Sequence, residues 1–407
     1  MPTSEPITGP SPRKILCGAV LTMTGEPPKG PQVIEIAGGR IAAVRPADGS
    51  LDRRDPELVD LSDLTVLPGM VDAHTHLDFD VLAGSELQQA QIDDVGLALR
   101  MANRGAVNVK RGITTVRLVG SRNFMDLRMR EAFDRGELLG PRIVTSTRGI
   151  TSSLGSHPNN LTADGPDAIR RAIRENIAKG ADLIKIFHSG VIGGGEDSCA
   201  PLFTREELGA AVDEAHRYNR PVAAHAYGGR SVDECLDLGV DVIEHGVFMT
   251  PEQYARAAER GTWIVPTLGV FVTEPGIAEL PHWPDWIRQR ILKGRQASWE
   301  SVAKLKASGA RYALSTDAIH GELAMEAIFA ARAGLTNAEA LKAVTVWGGE
   351  LCGFAGKVGV IAPGAFADLF AVSGDPLKDL EALRDVRFSM KDGRIAHWTA
   401  PAGRAAV

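Results

Sequence analysis

VDAHTHLD, residues 71–78, ends the apolar run LTVLPGMV and places His74 and His76 one residue apart. Residues i and i+2 of a β-strand point to the same face. A buried strand here therefore ends by aiming two imidazoles at one point. The chain has only ten histidines, so two at one strand end invite a search for further strands that end the same way.

Such strands recur downstream as GITTVRLVG, PRIVTSTRGI, ADLIKIFHSG, PVAAHAYGG, VDVIEHGVF, GTWIVPTLG and ARYALSTDA. Helical patterns lie between them. In PDAIRRAIRENIAKG, Ile169, Ile173 and Ile177 recur every four residues, and Gly180 supplies a stop. TREELGAAVDEAHRYN reads the same way. Eight strands mostly separated by helices predict an α/β fold, a (β/α)8 TIM barrel with its site at the C-terminal ends of the strands. A doubly wound open sheet is the competing arrangement, but no GxGxxG follows the first strand. Both chain ends read as short strands and turns, with GGR and KDGR as hairpin signals. They predict a small β-sandwich built from residues 1–66 and 356–407, with the barrel, 67–355, inserted between them.

Bulk properties exclude several classes. The chain has 407 residues, 44% hydrophobic and 24% charged, ordinary for a globular protein. Its formal net charge of −6 and the lack of basic runs argue against nucleic-acid binding. Cys17, Cys199, Cys235 and Cys352 are far apart, which fits a reduced, cytoplasmic protein and excludes a cysteine-type zinc site. No segment has the apolar length of a membrane span or a signal peptide. A small-molecule substrate, no nucleic acid, no membrane and a homo-oligomer are expected.

Polar residues gather at the predicted strand ends. The first strand gives His74 and His76, the fourth Lys185, the fifth His225, the sixth His245 and the eighth Asp317. Each sits in apolar sequence, where a lone polar side chain is costly without a partner. Imidazole and carboxylate suit Zn²⁺ and similar divalent ions. A cationic lysine does not. A buried lysine loses its proton readily, and the free amine can add CO₂ to become a carbamate able to bridge two metals. Two ions about 3.5–4 Å apart would share a hydroxide and polarise a carbonyl. Asp317 would ligate one ion and carry the proton from water to the leaving nitrogen. Taken singly, each residue has a commoner explanation: a hydrogen-bonded core histidine, a snorkelling lysine, a helix cap.

Together with GITTVR, AIRENIAKGADLIKIFHSG, AGLTNAEALKAVT and IAPGAFADLFAVSGDPLKD, these motifs run nearly the whole chain. The sequence resembles the amidohydrolase superfamily, and within it the imidazolonepropionase-like group that includes Xaa-Pro dipeptidases. The resemblance implies a distorted barrel plus the small β-sandwich. It also implies two divalent ions, expected to be zinc, held by His74, His76, Lys185 as N6-carboxylysine, His225, His245 and Asp317. A dipeptidase-like hydrolase cleaving a linear amide by attack of a metal-bridged hydroxide is expected, the bond lying in a dipeptide or an N-acyl or aryl amino acid. Hydrolysis of a carbamate, arylurea or cyclic amide by the same centre is the alternative. A metal-free, non-catalytic relative should lack ligands, and all six residues are present.

Substrate contacts follow the resemblance less closely. Where the family often has GGHG, this chain has SLGSHPNN, so His157 becomes the candidate for a substrate carboxylate. The resemblance to the dipeptidases implies that Tyr227 contacts the scissile carbonyl, and His188, three residues past Lys185, is a further candidate for substrate contact. TTVRLVG carries Leu118 where the family has an acid, which predicts an Arg117 without its carboxylate and a more apolar pocket. ELPHWPDW places Trp283 and Trp286 on a loop past the seventh strand, as candidate pocket walls.

Overall fold

The computed structural model describes residues 13–27, 29–48, 51–155, 159–190, 198–281 and 283–399. Eight parallel strands surround the central core. They are β1 (Met70–Thr75), β2 (Ile113–Leu118), β3 (Arg142–Thr145), β4 (Ile184–Phe187), β5 (Val222–Gly228), β6 (Val242–Phe248), β7 (Trp263–Val265) and β8 (Arg311–Tyr312). Every residue of β1, β2, β3 and β4 is buried, as expected of parallel strands covered on both faces.

The strands form two arcs, β1 to β3 and β4 to β8. Backbone hydrogen bonds join the arcs. Ala73 N donates to Leu314 O at 3.3 Å, and Asp317 N to His74 O at 2.9 Å. On the other side Asp182 N donates to Thr145 O at 2.8 Å. The segment PRIVTSTRGI, expected as one strand, is broken in two. Thr147 takes a left-handed backbone, φ 58°, and its N–H bonds Thr145 Oγ1. The chain resumes as Ile150–Thr151, which pairs with β4 rather than β2. This break is the distortion of the barrel.

Helices between the strands follow their local signals. Pro166–Lys179 opens on a proline and ends at Gly180 in the left-handed region; Ile169 and Ile173 are buried and Ile177 packs beside them. Arg205–Arg217 and Pro251–Arg260 each begin with a capping box, Thr204 with Glu207 and Thr250 with Gln253. Among the described residues no helix is long and apolar enough to cross a membrane.

Strands from both chain ends form a separate seven-stranded sheet. Its order is Arg394–Trp398, Val386–Lys391, Leu369–Val372, Leu58–Pro68, Lys14–Val20, Gln32–Ala37 and Arg40–Pro46. All its pairings are antiparallel except Lys14–Val20 with Leu58–Pro68. Both predicted hairpin turns are present. Gly38 with Gly39, and Asp392 with Gly393, hold positive φ at successive positions, the requirement of the tight hairpin turn. The sheet curls over its own core, so that Ile41 N reaches Ala365 O and Ala367 N reaches Gly39 O.

Arg142, at the start of β3, ties the barrel to this sheet. It is buried, its guanidinium donates to Asp368 and Asp392, and it lies 3.7 Å from the centroid of the Phe366 ring. Removing one partner of a buried ion pair leaves an uncompensated charge. Arg142→Ala is expected to lower unfolding stability by about 3–5 kcal/mol, measured by chemical denaturation. A wild-type denaturation curve would show that this link does not hold the two sheets together.

Candidate active site

The register of the strands sets which side chains enter the barrel. Lys185 pairs with Ala223, and His225 pairs with Glu244. Paired residues in a parallel ladder share a face, as do i and i+2. Lys185, Ala223, His225 and Glu244 therefore all point inward. By the same alternation His245 should point outward. It does not, because His245 and Gly246 both adopt positive φ, 73° and 60°, and this turns the imidazole back to the strand end. Thr267 (φ 41°) and Asp317 (φ 48°) are bent in the same sense past β7 and β8. Such backbone costs of order 1–3 kcal/mol per residue and clusters at functional sites.

The result is a compact group around Asp317. Its Oδ1 lies 3.3 Å from His74 Nε2 and 3.6 Å from His76 Nε2, and its Oδ2 lies 3.9 Å from His245 Nδ1. The His225 ring centroid is 4.5 Å from that of His245, and Tyr227 stands edge-on to His225 at 4.7 Å. Lys185 is 1% exposed and lies 5.0 Å from the Phe187 ring centroid. A ring of partners holds the histidines. His74 Nδ1 meets Glu244 Oε2 at 2.7 Å, His76 Nδ1 meets Gly120 O at 3.2 Å, and His245 Nδ1 meets Thr267 Oγ1 at 2.7 Å. Glu326 accepts from Leu268 N at 3.0 Å and from Gly269 N, steadying the turn that carries Thr267.

Burial tunes the group. It pulls His225 well below the ordinary imidazole range, His245 to about 3 and His76 to about 4, so these rings are neutral and can act as ligands. Burial also lowers Lys185 to about 8, opposed by Glu244 and Asp317. Burial would lower His74 as well, but Glu244 and Asp317 raise it above the ordinary value. Burial opposes ionisation of Asp317, yet His74, His245 and His76 hold it well below the usual carboxylate range.

The set fits divalent cations. His74, His76 and Asp317 each offer a ligand atom, and these atoms lie within 4.8 Å of one another. Lys185 Nζ and His225 Nε2 are buried beside them with no hydrogen-bond partner among the described residues. Buried polar atoms are seldom left in that state.

A cleft opens above the group and is lined by His74, His76, Lys185, His225, His245 and Asp317. Much of its wall is apolar, from Phe79, Val81, Ile277, Trp283, Ile287 and Ile291, and Asp78, Asn160 and Arg290 also line it. Trp283 is 4% exposed and its indole N–H donates to Val81 O at 3.4 Å. Tyr227 also lines the cleft.

Four expectations need correction. Leu118 does not line the cleft. It is fully buried in the large core cluster, because its neighbour Arg117 takes the inward position of β2, in register with Val144 of the barrel interior. Arg117 does not lack a carboxylate either: Nη1 donates to Glu244 Oε1 at 2.7 Å. His188 turns away from the cleft to Glu234 at 3.3 Å and stacks on Phe203, because it lies an odd number of residues past the inward-facing Lys185. Trp286 is 47% exposed and stacks under Arg290, outside the cleft. His157 lies outside the described residues. Glu244 is the residue the sequence reading passed over. Its signal was a carboxylate set inside the otherwise apolar strand VIEHGVF, directly before His245.

A model of the amidohydrolase family matches residues 65–398. Ochratoxinase of Aspergillus niger is 27% identical over 359 residues, spanning 79% of this chain and 72% of its own. The crystal structure of a Xaa-Pro dipeptidase with bound methionine in the active site superposes with a TM-score of 0.86 at 29% identity, covering 94% of this chain and 98% of that one. A prolidase complexed with N-methylphosphonate-L-proline gives 0.85 at 27% identity, covering 95% and 99%.

The corrected positions make a paired test. His188→Ala leaves buried Glu234 with one partner fewer and should cost about 1–3 kcal/mol of stability. Trp286→Ala should change stability by no more than about 0.5 kcal/mol. Neither should shift KM for the amide hydrolysed. A raised KM with unchanged stability would return that side chain to the substrate pocket.

Proposed function

We propose, for a chain that belongs to the amidohydrolase family, that it hydrolyses an amide joining a bulky hydrophobic or aryl acyl group to an amino acid, at a centre of two divalent ions. It is a hydrolase of amide-type C–N bonds, in a family that is generally metal-dependent. Zinc is the ion proposed, and His74, His76, His225, His245, Asp317 and a carboxylated Lys185 would hold it. The observation that carries this reading is Lys185. Its Nζ is buried, has no hydrogen-bond partner among the described residues, and is held by that burial below the ordinary lysine range. A neutral amine that has added CO₂ is an anion, and it would answer all three conditions.

When bound, the ions supply a polarising charge for the carbonyl and a nucleophile from water at neutral pH. The chain's own residues do the rest. Asp317 Oδ, ionised and ringed by His74, His76 and His245, accepts the proton of the attacking water and returns it to the leaving nitrogen. The Tyr227 hydroxyl donates to the carbonyl oxygen as charge develops there. Phe79, Val81, Ile277 and Trp283 exclude water and take up the acyl group, each buried methylene adding roughly 0.8 kcal/mol. The similarity to a Xaa-Pro dipeptidase supports an amino acid on the leaving side.

Purified enzyme is tested against matched N-acyl amino acids, small polar dipeptides, carbamates and arylureas, scoring released amine. Highest kcat/KM on a hydrophobic or aryl acyl amino acid is expected. Turnover confined to carbamates or ureas would overturn the substrate class. Elemental analysis should find close to two divalent ions per chain; an active enzyme with one would overturn the binuclear centre.

Two substitutions test the roles. Asp317→Asn keeps the shape but removes the base, and kcat should fall at least about 10²-fold with the fold retained. Lys185→Ala should lose activity and regain part of it with short carboxylic acids. Near-wild-type turnover by metal-loaded Asp317→Asn would remove Asp317 from proton transfer.

A further inference from the structure

We infer that Glu244 is a positioning residue that, held by Arg117, fixes His74 with its proton on Nδ1 and its Nε2 turned toward Asp317. This rests on the metal-centre reading above and goes beyond it, to the residue that orients one ligand.

Glu244 is fully buried in mid-barrel. Both its oxygens are engaged. Oε2 meets His74 Nδ1 at 2.7 Å, and Oε1 accepts from Arg117 Nη1 at 2.7 Å. Arg117 Nη1 also donates to Ala73 O at 3.0 Å, the carbonyl just before His74. One guanidinium thus ties down both the peptide that carries the ring and the carboxylate behind it. An ionised carboxylate only accepts hydrogen bonds, so Nδ1 must be the donor. That leaves Nε2 as the coordinating nitrogen, and Nε2 is the atom 3.3 Å from Asp317 Oδ1.

His76 and His245 are held by uncharged partners. His76 Nδ1 faces a backbone carbonyl and His245 Nδ1 faces a hydroxyl that can donate or accept. Among the described residues, His74 alone of these three has a carboxylate within hydrogen-bond distance of Nδ1. Such a partner fixes ring tautomer and orientation and raises the basicity of the ligating nitrogen, and its loss typically weakens metal affinity 10–100-fold.

The test titrates zinc into metal-free full-length protein against a competing chelator. Glu244→Gln should bind zinc about 10–100-fold more weakly than wild type. Glu244→Gln/Arg117→Met removes the stranded guanidinium as well and should show the same weakening. The tautomer is read separately in the wild type, with no substitution, by ¹⁵N-histidine NMR of the zinc-loaded protein. His74 should carry its proton on Nδ1. Wild-type zinc affinity in both variants, or a His74 whose Nδ1 lacks the proton, overturns the inference while leaving the metal centre standing. A wild type that binds no zinc overturns the metal reading and this inference with it.

Discussion

The carboxylate of Asp317 is the constraint on which the site depends. One side chain lies within 4 Å of imidazole nitrogens from β1, from the residue just beyond it and from β6. The same residue's N–H donates to His74 O and helps close β8 against β1. Barrel closure and site assembly are therefore one event. Neither the left-handed backbone at Asp317 nor that at His245 would persist without a surround that over-determines it. Buried polar groups of this density are tolerable only when mutually satisfied. That condition makes the two orphaned atoms, Lys185 Nζ and His225 Nε2, stand out.

Much of the fold was legible because parallel strands, buried on both faces, show as uninterrupted apolar runs, and because the hairpin and capping signals act locally. The break after Thr145 was not legible. Nothing in PRIVTSTRGI marks Thr147 as left-handed, since no glycine or asparagine stands there. The gathering of six polar residues at one cleft followed from strand ends alone. What strict alternation misjudged was direction. Alternation fails at His245, which escapes the outward phase through its backbone, whereas Leu118 and His188 lie outward as alternation requires and were expected at the pocket on other grounds. Glu244 was hidden by the same habit, since an acid beside an inward histidine reads as an outward one.

The broken third strand and the helix Asp285–Ser308 shape the two sides of the cleft. After the break, Ile150–Thr151 joins β4 and brings Asn160 to the cleft. From the other side the helix presents Ile287 and Ile291, with Trp283 just ahead of it. The dense polar cluster thus faces a largely apolar wall. The physics favours a substrate with the same division: a polar scissile group and a hydrophobic acyl part.

The most direct test of the centre is the chemistry of Lys185. Metal-free protein is reconstituted with zinc in ¹³C-bicarbonate and observed by ¹³C NMR, beside Lys185→Ala treated identically. A carboxylated lysine predicts a carbamate resonance in the wild type that is absent from the variant and lost when bicarbonate and metal are withdrawn. A fully active, zinc-loaded wild type with no carbamate signal would contradict it.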